Sequence, residues 1–305
     1  MAIQKEIWIA DIQETLHQGN EFILQGTDHS AFVSNKTVHI PQSGSAPSIS
    51  KNRSSLPASI TQRTDTDGSY TLGEFTTDPI LITDLDELQT SYVKRQSVLS
   101  QHINVLNERI GLETAYDWTP SADASLVLRT SGAATADTAH ATATGTRKLL
   151  TKEDVAKMAR KLDQDNVSKM NRVLVLPTSM YYELFSVDAL IRNDFGRALN
   201  MIDGQANELF GFRIFTLPNT IMFNNAAAGV KKAVGSSAAA TDCLGAFAFQ
   251  KDFVAHANGS IKVFADEDKP EYYGSVFSAL VQHGSTMLRG DYKGVVAMAQ
   301  GYVAP

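Results

Sequence analysis

Residues 41–78 constrain the fold more than any other part of this 305-residue chain. Eight serines, three prolines and three glycines fall among those 38 residues, and only eight are apolar. So little apolar surface cannot close a core of its own. Yet residues 59–63 and 69–73 read as two strand arms around Asp67-Gly68, a dipeptide favoured in tight hairpin turns. A long hairpin of this composition is stable only when it lies on something else, either this chain's own body or a neighbouring copy.

The flanks sharpen that expectation. Before the segment, Trp8, Ile9, Ile12, Leu16, Phe22, Ile23 and Leu24 scatter apolar anchors over an arm broken at Gly19 and Gly26, and a short strand at 36–40 stops at Pro41. After it, Leu85, Leu88, Tyr92, Leu99, Ile103, Leu106 and Ile110 recur in steps of three, four or seven, which places them on one helical stripe. Thr83 and Asp86 resemble a capping box. Carried through Tyr116, the helix spans about 45–50 Å. Gly111 marks a possible bend.

Residues 119–147 are rich in Ala, Thr, Ser and Gly, with one strand at 126–129. A second helix starts at Thr151 with Asp154 as capping partner and turns Val155, Met158 and Leu162 inward. The run Arg172-Val-Leu-Val-Leu-Pro177 is a buried strand feeding a helix from Thr178 through Phe185, an α+β or α/β unit. Further strands are expected at 211–216, 244–249, 261–264, 276–281 and 294–298. Between them, residues 226–242 form an exposed, mobile Ala/Gly/Ser loop around Lys231-Lys232.

Composition narrows the function. Basic residues number 27 against 33 acidic ones, a net charge of −6, which argues against a general polyanion binder. The single cysteine, Cys243, forms no intrachain disulfide and fits a reducing compartment. No stretch of eighteen uninterrupted apolar residues occurs, and the first residues lack a signal peptide's apolar run, so synthesis in the cytosol is expected.

Motifs for chemistry are scarce. Neither a phosphate loop nor a dinucleotide fingerprint is present, and Gly145-Thr-Arg-Lys148 lacks the second glycine that lets amides wrap a phosphate. His283-Gly-Ser285 sets a base two residues from a hydroxyl, a spacing that an ordinary strand end also gives. Asp65, Asp67, Gly68 and Glu74 match positions of a calcium loop whose first ligand would be Arg63, a cation where a carboxylate is required. Arg63 beside Asp65 and Asp67 better suits pairing with charges on another subunit. Tyr181/Tyr182 and Tyr272/Tyr273 are not interleaved with basic residues, as stacking on nucleic acid needs. The expectation is a structural protein, not an enzyme, with no cofactor and no metal.

The order of these pieces resembles the major capsid proteins of tailed double-stranded DNA bacteriophages, whose Hong Kong 97-type fold encapsulin shells share. Arg172-Val-Leu-Val-Leu-Pro-Thr-Ser-Met-Tyr-Tyr-Glu-Leu looks like that family's strand-then-helix segment, and Glu208-Leu-Phe-Gly-Phe-Arg-Ile-Phe like its "leucine, any, glycine, aromatic, then strand" stretch. Residues 276–303, with Arg289-Gly-Asp-Tyr-Lys-Gly-Val-Val, look like its closing strands. The resemblance implies an α+β chain in five parts. These are an N-terminal arm (1–45), an extended β-hairpin loop (46–80), a peripheral domain with a spine helix (81–150), an axial domain (151–265) and C-terminal strands (266–305).

It also implies self-assembly through hexamers and pentamers into an icosahedral head around double-stranded DNA. Scaffolding and portal proteins, with or without decoration proteins, would be the partners, and the virion capsid the location. An arm starting at Met1 suggests a separate scaffolding protein. Trp8, Arg63, Asp65, Asp67 and Glu74 are the expected inter-subunit contacts. Two rivals stand beside this: an encapsulin-like nanocompartment shell, and a cytosolic α/β enzyme with a helical oligomerisation arm.

Overall fold

A computed structural model describes residues 20–44, 49–54, 57, 60, 62–83, 93–135, 140–185, 199–200, 205–206, 208–218 and 220–304. Its main elements begin with strands β1 (Thr37–Gln42), β2 (Thr66–Thr71), β3 (Gly73–Thr76) and β4 (Ile80–Thr83), then helix α1 (Val93–Trp118) and strand β5 (Val127–Arg129). Helix α2 (Lys152–Gln164), strand β6 (Arg172–Pro177) and helix α3 (Thr178–Phe185) follow. The remainder adds β7 (Glu208–Leu209), β8 (Phe212–Leu217), β9 (Cys243–Gln250), β10 (Val254–Lys269), β11 (Gly274–Met287) and β12 (Val295–Ala299).

The central sheet has the order β7-β8-β6-β9-β12-β5. Strand β6 runs parallel to β8 and antiparallel to β9, while β12 runs antiparallel to β9 and parallel to β5. Both faces are covered, which is why β6 after Arg172 and all of β12 are apolar without alternation, and both strands are buried throughout. Leu174, Leu176, Ala246, Ala248, Val296 and Met298 pack with Val155, Met158 and Leu162 of α2 and Met180 of α3. The intervening residues Val173, Val175, Phe247 and Phe249 join Trp118 at the end of α1 and Phe22 from the arm. Trp118 is fully buried, donates from Nε1 to the Ala255 carbonyl at 3.0 Å, and meets Phe22 and Phe249 edge-on.

Local signals explain the start of α2 and the turn between β7 and β8. Thr151 Oγ1 accepts from the Asp154 amide and Asp154 Oδ2 accepts from the Thr151 amide, the expected capping box. Asp154 also accepts from the Ser131 amide and hydroxyl and from Lys157 Nζ. Burial would raise its pKa, but these hydrogen bonds outweigh burial and hold the carboxyl below its ordinary value. Between β7 and β8, Phe210 (φ 50°) and Gly211 (φ 80°) form a two-residue turn with both residues left-handed, so the glycine of the leucine–any–glycine–aromatic stretch is a turn requirement.

A second sheet joins Thr27–Asp28, β10, β11 and β3, with β4 also pairing β11. Helix α1 lies on it: Ile103, Leu106 and Ile110 share a core with Val263, Ala279 and Val281. Its 26 residues rise about 39 Å. The expected onset at 84–92, with Asp86 of the capping box, lies outside the described residues. Gly111 marks no break, since the helix runs on to Trp118. A Cβ there would stand 2.3 Å from Asn20 Oδ1, so glycine admits the arm, and Asn20 Nδ2 donates to the Asn107 carbonyl.

Three expectations are corrected. Asp67-Gly68 is not a turn: β2 pairs antiparallel with β1, setting Gly68 against Ile40 and Asp67 against Pro41. The ribbon arms are therefore β1 and β2, and the connection spans 43–65. Strand β1 passes through Pro41 because a two-stranded ribbon has only edge strands, where a missing N–H can face outward. Third, β10 and β11 are far longer than the short strands expected. Their alternation is hidden by buried polar residues, among them His256, Ser275 and His283.

Candidate assembly surfaces

The ribbon has two regimes along its length. At its base Val38, Tyr70 and Leu72 bury against Ala257 of β10, with Val33 and Ile40 at the margin. Gln42 Nε2 donates to the Leu288 carbonyl. Beyond Gln42 the apolar support ends: Ile49 and Ile60 are each 97% exposed. The body of the chain carries the base, and the far end is left for something else.

The described charged residues expected at subunit contacts each have a partner inside the chain. Asp65 Oδ1 accepts from the Gly44 amide (2.8 Å) and from Arg63 Nε (2.5 Å), and these hydrogen bonds lower its pKa. Asp67 pairs with His39 at 2.8 Å, and Glu74 accepts from Lys36 and, at 3.1 Å, from Gln282. Asp65 in the connection, Asp67 in β2 and Glu74 in β3 are each taken by a different partner, unlike the converging ligands of a calcium loop. Among the described residues no three His, Cys, Asp or Glu side chains are placed to hold a metal ion. Trp8 lies outside the described residues.

His283 and Ser285 are likewise engaged elsewhere. His283 Nδ1 lies 2.7 Å from Asn258 Oδ1 and its Nε2 lies 2.8 Å from Thr114 Oγ1 of α1. Ser285 donates to Asp117 at 2.7 Å. Burial pushes the Asp117 carboxyl up. These bonds tie α1 to β10 and β11 through polar groups beneath an otherwise apolar contact.

The segment 226–242, expected to be mobile, is laced to the body by cations. Lys231 Nζ donates to the Tyr116 and Thr119 carbonyls at the end of α1, at 2.6 and 2.8 Å, and stands 4.1 Å from the Tyr116 ring centre. Lys232 pairs with buried Asp242 at 2.6 Å. Arg147, almost fully buried, donates to the Thr144, Ala240 and Asp242 carbonyls. Carbonyl acceptors leave no charge pattern in sequence, which is why this clasp was not legible there.

Burial lowers the Lys231 pKa from 10.5 to about 8. Between those values the unfolded chain binds more protons than the folded one, so stability rises with pH across that window. Relative to Lys231→Met, the wild-type monomer is expected to gain up to roughly 3 kcal/mol from pH 8 to 10.5 in denaturant titrations. A flat difference would contradict a desolvated ammonium.

The fold and these surfaces define a structural subunit: a body with a well-packed core that extends a ribbon it cannot cover. Comparison with known proteins agrees. A family model described as phage capsid protein matches residues 107–299. The capsid structure of cyanophage P-SCSP1u is 19% identical with a TM-score of 0.63, covering 90% of this chain and 86% of that one. A Mycobacterium phage Che8 structure is 18% identical with a TM-score of 0.61, covering 94% and 90%. A virus-like particle from Pyrococcus furiosus is 10% identical with a TM-score of 0.56, covering 97% and 99%. No curated protein matches.

The chain belongs to the phage capsid protein family. Its fold is of the Hong Kong 97 type, and it is a structural major capsid protein located in the virion shell. No helix among the described residues is long and apolar enough to cross a membrane.

Proposed function

We propose that copies of this chain assemble through hexamers and pentamers into an icosahedral head that encloses double-stranded DNA. The observation that carries this reading is the ribbon, supported at its base by Val38, Tyr70 and Leu72 and bare at Ile49 and Ile60. Such a projection gains apolar burial from a neighbouring molecule, which in a shell is another copy. The arm, ending at buried Phe22 and Ile23, would clasp a further neighbour through its earlier residues, including Trp8.

The parts would divide as arm (1–45), extended loop (46–80), peripheral domain (81–150), axial domain (151–265) and returning strands (266–305), with the pairing of β1 and β2 carrying the loop's root back to Thr37. A net charge of −6 suits a wall that contains DNA without gripping it. Scaffolding, portal and decoration proteins would be the other partners. Particles purified from infected cells should contain nuclease-protected double-stranded DNA. Particles filled with a cargo protein and free of DNA would favour the encapsulin-like reading instead.

A further inference from the structure

Helix α1 meets the second sheet through Ile103, Leu106 and Ile110, and then its contact turns polar. Thr114 meets His283, and Asp117, one turn further on, meets Ser285, two residues along the same face of β11. His283 is only 3% exposed, so the groups around it decide how it is protonated.

Those groups are both acceptors. Thr114 Oγ1 gives its one proton to the Ile110 carbonyl at 2.8 Å, so it accepts from His283 Nε2, also at 2.8 Å. Asn258 Oδ1, an amide carbonyl oxygen, lies 2.7 Å from His283 Nδ1 and accepts as well. A neutral imidazole carries one N–H, and its bare nitrogen would set a lone pair against an oxygen lone pair. The imidazolium gives each oxygen a donor, in two charge-assisted hydrogen bonds.

The surroundings suit one positive charge. The His256 ring of β10 stacks 6.4 Å from that of His283, so a proton on either repels a second on the other. From α1, Asp117 supplies a carboxylate that accepts from Ser285 at 2.7 Å, while Glu113 pairs with Arg109. Lys231 also acts on Asp117. From the arm, Asp28 pairs with His256 in the ladder and the His29 amide donates to the His256 carbonyl. Strand β3 sets Gly73 beside His283, and Leu72 lies against Gly284, so the ribbon joins the body at this same point.

We infer that His283 is a buried imidazolium that latches α1, through Thr114, to β10, through Asn258, at the root of the ribbon, and that the latch slackens as rising pH removes its proton. A group held charged by its partners has a folded pKa above its unfolded one. The stability it adds is complete below the unfolded value of about 6.5 and is lost as pH rises through the folded one. The titration belongs to the single chain and does not depend on the shell reading.

The test is an NMR titration of isotope-labelled histidine rings in the unassembled full-length chain, with His283→Gln assigning the signal. Both His283 nitrogens should carry protons at about pH 6.5, and the midpoint should lie at least about one unit higher. Thr114→Val removes one acceptor at nearly constant shape and should bring that midpoint down by about a unit or more. Hydrogen exchange then reads the latch itself. Below the wild-type midpoint, Thr114→Val should lose about tenfold protection at amides 114–118, and above it the two chains should converge. A hydroxyl with a purely structural role would cost the same protection at every pH. A single-proton His283 ring at about pH 6.5, or a loss in Thr114→Val that ignores pH, would overturn the latch. The wild-type titration decides the charge even if Thr114→Val does not fold.

Discussion

Excising residues 45–64 and joining Gly44 to Asp65 through Asn-Gly is expected to give a chain that folds and forms no closed particles. The join is feasible because the Gly44 amide already meets Asp65 Oδ1 at 2.8 Å, so the two ribbon arms are adjacent there. The small core of Val38, Tyr70, Leu72 and Ala257 lies wholly outside the excision and should persist. A cut at 62–72 would be a poorer test, since it removes Tyr70 and Leu72 and disturbs the body as well. Circular dichroism and thermal melting would report the fold, and sedimentation velocity the assembly. Normal particles from the shortened chain would show that the ribbon end is dispensable.

The second large effect concerns the monomer. Trp118→Ala is expected to cost about 3–5 kcal/mol of unfolding free energy, the usual loss for a fully buried large aromatic. Trp118 joins three parts of the chain: Phe22 of the arm, Phe249 of β9, and the Ala255 carbonyl of β10. Its loss would therefore loosen the arm and the junction of both sheets together. Trp118→Phe should cost less, because it keeps most of the ring contact and forfeits one hydrogen bond worth about 1 kcal/mol. Denaturant titration of the unassembled chains distinguishes the two. A cost under about 1 kcal/mol for the alanine variant would contradict the packing described.

The elements legible in sequence are those whose signals are local. Strand β6 and helix α3 were readable because burial on both faces demands an unbroken apolar run and Pro177 punctuates it. Helix α2 was readable from Thr151 and Asp154, which lie three residues apart. The ribbon register was not readable. Asp67-Gly68 has the composition of a tight turn, but neither residue takes the positive φ such a turn needs. The partner of β2 lies nearly thirty residues earlier in β1, and burial of Val38 and Tyr70 fixes that register over the local preference.

Long-range polar contacts were hidden for the same reason. Glu74 meets Lys36 across 38 positions, and Lys231 meets carbonyls at the end of α1 more than a hundred positions away. The long strands β10 and β11 were foreshortened in sequence because Asn258 and His283 interrupt their apolar pattern. In the fold those two bond each other, and His283 also meets Thr114. The family resemblance was carried by the order of elements, which survives such local errors.

The most direct test of the central claim is the size of what the purified chain forms. Sedimentation velocity and negative-stain microscopy on one fraction should reveal closed particles or megadalton assemblies of capsomers, with a scaffolding partner supplied where the chain needs one. A monodisperse dimer or tetramer that stays small with a scaffolding partner or a crowding agent would contradict a shell built by copies of this chain.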